Sequence, residues 1–186
     1  MNKIIQPPQI PLLVADRPGR LILAVTDGRE RGRVTELVAE LAARGCLQVI
    51  AGSDWVPGYG LARALRRRTV DLGEALERVR LGRSFTCYQL LDLLETANPG
   101  PAPLLVLDFL HGFYDDDLPY AVRVHVLKEC CGQLRRLSRR GPVGVIVQQT
   151  PTDDFGHFLP FLAEIADELR MPPQAEIQPA SQQRLF

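Results

Sequence analysis

The stretch Leu21-Ile22-Leu23-Ala24-Val25-Thr26-Asp27-Gly28-Arg29-Glu30-Arg31-Gly32-Arg33-Val34-Thr35 decides how this chain reads. The wholly apolar run Leu21–Val25 fits a short strand buried on both faces. Beyond the polar loop, Val34, Leu37, Val38 and Leu41 recur at helical spacing, and Gly45 is placed to end that helix as its C′ residue. A strand, a loop and a helix in that order are the setting of a phosphate-binding loop of pattern G-x-x-x-x-G-K-[ST]. In that register the first glycine falls on Asp27, the lysine on Arg33 and the metal-binding hydroxyl on Val34; only Gly32 survives. Such a loop aims backbone N–H groups and one lysine at phosphates and sets a hydroxyl on the metal. Here Asp27 adds negative charge, and Arg33 keeps a cation in a bulkier, forked form. Val34 cannot ligate magnesium, and Thr35, one residue late, points about 100° away on a helix. The stretch reads as a phosphate-binding loop disarmed where the phosphates would sit.

Working outward, residues 1–20 are rich in proline and read as an extended leader, with Ile10 to Ala15 a candidate edge strand. Leu47–Ala51 is a second buried strand. Leu61–Arg68 is a short basic helix, Val79–Leu81 a strand, and Thr86–Thr96 a helix with Leu90, Leu91, Leu93 and Leu94 on or near its inner face. Asn98-Pro99-Gly100-Pro101 is a break. Leu104–Leu107 is a strand, Tyr120–Arg140 a long helix ended by Gly141-Pro142, and Val143–Gln148 another buried strand. Phe158–Leu169 is a helix, or a helix running into a last strand. Short apolar strands alternating with helices predict an α/β fold with a mainly parallel sheet and helices on both faces. One domain is expected over residues 21–175, followed by a polar tail, 176–186.

The 186 residues suffice for one substantial core, and the composition, 46% hydrophobic and 24% charged with no net charge, is that of an ordinary globular protein. A neutral chain has no bulk attraction to nucleic acid or membrane, so such binding needs a local patch. No apolar run approaches a membrane span and no signal-peptide pattern opens the sequence, so a cytoplasmic protein is expected. Cys46, Cys87, Cys130 and Cys131 form no C-x-x-C pair and read as reduced thiols, buried or half-buried.

In a doubly wound sheet, ligands lie at the C-terminal ends of strands. Besides the loop at 26–35, two such ends carry polar groups. Leu104-Leu105-Val106-Leu107-Asp108 fits the Walker B pattern, in which the carboxylate holds magnesium-bound water beside the phosphates. Val143–Gln148 runs into Gln149. These pieces, in this order, make residues 20–150 resemble the RecA-family recombinase core, a P-loop NTPase fold. The segment Leu76–Thr86 is similar to the family's strand leading into a helix ahead of Walker B, and Gln149 to its nucleotide-sensing glutamine. Within the family the chain is most similar to the SWIM-domain-associated, Shu-complex type of recombinase paralog. The matching pieces are Leu76–Leu94, Gly100-Pro101-Ala102-Pro103 into Asp108, the acidic loop Asp115-Asp116-Asp117, and Val145–Thr150.

The resemblance implies an accessory factor of homologous recombination that partners a SWIM zinc-domain protein, binds DNA and helps load or stabilise recombinase filaments. It would act in the cytoplasm at the nucleoid, or in the nucleus of a eukaryote. Gly28, Gly32, Arg33, Thr35, Asp108 and Gln149 are the remnants of the nucleotide site. The family's water-activating glutamate is replaced around Ser53 and Asp54, with Asp54 a possible substitute. Neither ATP nor magnesium is expected as a working cofactor, no catalytic residue is assigned, and a weak ATPase using Arg33, Thr35, Asp108 and Gln149 is the alternative. The end, Gln182-Gln183-Arg184-Leu185-Phe186, resembles the peptide by which bacterial polymerases and repair proteins bind the sliding clamp, with Gln182, Leu185 and Phe186 as anchors. A mutagenesis factor recruited to the clamp is therefore a further alternative.

Two basic clusters offer DNA contacts: Arg63, Arg66, Arg67 and Arg68, and Arg135, Arg136, Arg139 and Arg140. Each reads equally as a solvated helix end favoured by the helix dipole. Asp108, His111, Asp115, Asp116, Asp117 and His125 match no metal-ligand spacing; the run reads as an exposed acidic loop, whereas Asp108, ending a buried strand, reads as a relic metal ligand or a carboxylate capping nearby backbone amides. Trp55, Tyr59 and Tyr88 could stack bases, but packing is the reading preferred for all three. Val122, Val126 and Leu127 read as core.

Overall fold

A computed structural model describes residues 19–27, 30–52, 55–115, 117–150 and 153–171. Six strands form one sheet, all parallel: β1 (Leu21–Thr26), β2 (Leu47–Gly52), β3 (Val79–Ser84), β4 (Leu104–Leu107), β5 (Val143–Gln148) and β6 (Glu168–Arg170). Their order across the sheet is β3-β2-β4-β5-β1-β6. Six helices connect them: α1 (Arg31–Arg44), α2 (Gly58–Arg66), α3 (Leu72–Glu77), α4 (Cys87–Thr96), α5 (Tyr120–Ser138) and α6 (Asp153–Ile165). The α/β class and parallel sheet expected from the sequence are therefore present.

Side chains alternate along each central strand, and this sorts the core into two halves. Leu21, Leu23 and Val25 of β1, with Val143, Val145 and Val147 of β5, pack against α4, α5 and α6. Ile22 and Ala24 of β1, with Leu105 and Leu107 of β4, pack against α1, α2 and α3. Burial on both faces is why these strands read as unbroken apolar runs. Crossovers toward the β3 edge run over the α1–α3 face and those toward the β6 edge over the other, one hand throughout, as parallel connections require.

Several sequence-based expectations need correction. α1 begins at Arg31, three residues before the apolar spacing starts. Gly45 ends it at φ 170°, extended backbone rather than a left-handed C′ residue. α2 starts at Gly58 and stops at Arg66, so Arg67 and Arg68 lie just past it. Strand β3 runs on to Ser84, because an edge strand with polar surroundings needs no apolar sequence. Thr86 is not the first residue of α4 but its N-cap, its hydroxyl accepting the Gln89 N–H at 3.2 Å. α5 ends at Ser138. The last helix starts earlier than expected, at Asp153, and is followed by a short strand. α3 was not anticipated; Asp71 caps it by accepting the Glu74 N–H at 2.9 Å. Tyr59 and Tyr88, read as packed, are exposed at 78% and 50%, whereas Trp55 is buried as expected. Val126 and Leu127 are core, while Val122 is only half-buried. Cys46 is exposed, and the other three cysteines are buried. The candidate strand at Ile10–Ala15 lies outside the described residues.

Candidate functional site

Parallel strands deliver their C-terminal ends to one side of the sheet, and a crevice opens where neighbouring strands send their chains to opposite faces. β1 leaves toward α1 while its neighbour β5 leaves toward α6 on the other face; β4 leaves toward α5 while its neighbour β2 leaves toward α2. Both boundaries are switch points. Thr26, Asp27 and Gln149 fall at the first, Asp108 and Gly52 at the second. The fold thus carries the ends of β1, β5 and β4, far apart in sequence, to one side of three adjacent strands.

At the first boundary Thr26 pairs with Gln148, and the ladder runs one residue further, with the Gln149 N–H donating to the Thr26 carbonyl at 2.7 Å. The Gln149 side chain stands exposed beyond it. The Thr26 hydroxyl is buried and has no hydrogen-bond partner among the described residues. Asp27 is exposed, and Gly28 lies outside the described residues. In the first turns of α1 the remaining motif positions turn away from a phosphate. Arg33 is held at 3.0 Å by Glu30 on the exposed side. Val34 is fully buried in the core. The Thr35 hydroxyl donates to the Arg31 carbonyl at 3.1 Å, a bond along its own helix. A Cβ added at Gly32 would meet nothing within 4 Å, so packing does not demand glycine there.

At the second boundary Asp108 ends β4 with φ 52° and is 6% exposed. This left-handed backbone is one that Asp tolerates better than most residues. Its Oδ2 lies 3.7 Å from Nδ1 of His111, whose backbone N–H donates to the Asp108 carbonyl at 3.0 Å. The next residue, Phe109, donates its N–H to Ile146, keeping β4 and β5 paired. Gly52 is built into this corner: a Cβ there would lie 2.4 Å from the Asp108 carbonyl oxygen. These residues do not fit a magnesium triphosphate. The carboxylate and amide are at hand, but the side chains at the cation and hydroxyl positions are committed elsewhere.

The two arginine clusters lie in different settings. The Arg67 and Arg68 guanidiniums both pair with Glu36 of α1, while Arg63 and Arg66 are exposed on α2. In the second cluster, Arg135 pairs with Asp167 at 3.2 Å. Arg136 donates to the Leu94 and Glu95 carbonyls at 2.8 and 3.1 Å, closing the C-terminal end of α4. Arg140 reaches Asn98 at 3.3 Å, and Arg139 is exposed. This cluster lies at the opposite side of the sheet from Asp108, since α5 ends where β5 begins.

Asp115 and Asp117 are exposed, as is His125, and no group of three potential metal ligands gathers among the described residues. Burial pushes the Cys130 and Cys131 thiols up, the latter to about 12, so neither is a nucleophile. Gln182, Leu185 and Phe186 lie outside the described residues. No helix among the described residues is long and apolar enough to cross a membrane.

Sequence reading missed Arg31, whose guanidinium lies 5.5 Å from the ring centroid of Trp55. It also missed Asp167, whose carboxylate accepts the Leu21 N–H at 2.7 Å and so ties β1 to α5. No periodicity or motif marks either pair; both arise from long-range packing. No protein-family model matches this chain, and no curated protein matches it.

Proposed function

We propose that the chain is a RecA-like accessory domain of recombination or repair that has given up nucleotide hydrolysis and acts by binding a SWIM-type zinc partner, DNA, or both. One observation carries the reading. Asp108 and Gln149 stand at the ends of adjacent strands beside the β1 loop, as a nucleotide site would need, while Arg33, Val34 and Thr35 are each committed to other contacts. Loss confined to the loop, with the surrounding frame intact, is what a binding domain descended from an ATPase would keep. With Arg33 paired to Glu30 and Val34 in the place of the metal's hydroxyl, the described part of the loop lacks two of the groups through which phosphoryl transfer is stabilised.

Co-expression with a SWIM-domain zinc protein tests the partner directly. Stable co-purification in stoichiometric amounts is the expected result, and separate elution of the two proteins over a range of concentrations would remove that part of the proposal.

A further inference from the structure

Between the first turns of α1 and the helix α2 lies a cleft of about 530 Å³, lined by Arg31, Gly32, Thr35 and Glu36 on one side and by Trp55, Pro57, Gly60, Arg63 and Arg67 on the other. Pockets of this size are in the range that binds ligands. Its wall carries three guanidiniums against one carboxylate. That carboxylate, Glu36, is already neutralised by Arg67 and Arg68. Arg31 and Arg63 make no ion pair among the described residues, nor does Arg66, exposed on the same helix. Two exposed cations therefore line the cleft with no ion-pair partner among the described residues. Arg31 also stands in the first turn of α1, which holds no acidic residue, and the N-cap Glu30 carboxylate is paired with Arg33.

Two aromatic features separate this cleft from an ordinary basic surface. Tyr59, on the first turn of α2 beside Gly60, is 78% exposed and buries no ring face in the core. Trp55, lining the cleft, is fully buried beneath Arg31, and its indole N–H has no acceptor among the described residues. An unsatisfied buried donor is costly, and a neighbouring acceptor would relieve it. An Arg31 drawn from the ring toward an anion would open that N–H to the same ligand.

Two lining guanidiniums without an ion pair among the described residues, and the exposed Tyr59 one helical turn before Arg63, are the chemistry that holds a single strand: cations along the phosphates, a base on the aromatic face. We propose that the α1–α2 cleft binds single-stranded nucleic acid, with Arg31 and Arg63 on backbone phosphates and Tyr59 stacking a base. This rests on the reading that the chain binds DNA, and it assigns that role to one of the two arginine clusters. In the other, Arg135 and Arg136 are engaged within the fold.

The test is fluorescence anisotropy of the full chain with a labelled oligothymidylate of about 16 nucleotides, titrated at several salt concentrations. The Arg31→Ala/Arg63→Ala variant is expected to raise Kd at least about tenfold and to reduce the slope of log K against log salt by about 1.4, two phosphate contacts' worth. Tyr59→Ala is expected to weaken binding about fivefold or more with the slope unchanged. Arg139→Ala/Arg140→Ala should change neither. Trp55 is the single tryptophan, so its emission should shift when the strand binds, and that shift should vanish in Arg31→Ala. Arg63 and Tyr59 are exposed, so their variants fold, and their melting curves check this. Binding unaffected by the cleft variants overturns the proposal. If the Arg139→Ala/Arg140→Ala variant loses binding instead, the cleft assignment falls and DNA binding stands. If the unaltered chain binds no strand, both fall, while the SWIM-partner reading remains to be decided by co-purification.

Discussion

Gly52 shows how much one residue carries at the end of a strand. Its Cα faces the Asp108 carbonyl so closely that any side chain would drive the ends of β2 and β4 apart. Gly52→Ala is expected to destabilise the fold by about 2–3 kcal/mol, the cost of forced overpacking, read as a lower urea midpoint. Asp167 works through charge. Its hydrogen bond from the Leu21 N–H, helped by Arg135, holds its carboxyl below the ordinary carboxylate value. A carboxylate whose pKa is depressed by folding adds stability above its unfolded pKa, near 3.9, and loses it as pH falls through the folded value. Asp167→Asn should therefore be less stable than the unaltered chain at pH 7, and the two should converge as pH drops below about 4. Equal stabilities at pH 7 would show that Asp167 contributes nothing.

The elements were legible where burial alone decided them. β1, β2, β4 and β5 are central strands covered on both faces, so their sequences are continuous apolar runs that few other structures could use. The edge was less legible. β3 is half solvated, so Arg80 and Arg83 sit within a strand whose apolar pattern stops at Leu81. α3 is only six residues long and too short to show a period, though Asp71-Leu72-Gly73-Glu74 carried a capping signal. The arginines on α5 illustrate a different limit. Their spacing suits DNA as well as it suits a helix end; only tertiary contacts separate the two uses. Arg136 supplies donors to two carbonyls at the end of α4, so Arg136→Ala is expected to cost about 1–2 kcal/mol of stability. Arg139→Ala, which removes no such bond, should leave the melting temperature within about a degree.

At the scale of the whole molecule, the order β3-β2-β4-β5-β1-β6 turns separate sequence signals into one place. Asp108 and Gln149 could be picked out in the sequence because each closes an apolar run. The loop's departure from the phosphate-binding pattern was also visible, since Val34 has no atom to give a metal. What stayed hidden was where the loop's own side chains go: Arg33 to Glu30, Thr35 to its own helix, and Arg31 onto Trp55. We propose that this frame keeps the positions of a nucleotide site without its phosphate-binding groups. The direct test is calorimetric titration of the full chain with ATP and magnesium, repeated on Asp108→Ala. The account predicts no saturable heat at micromolar nucleotide for either protein. Micromolar affinity in the unaltered chain that Asp108→Ala abolishes would contradict it.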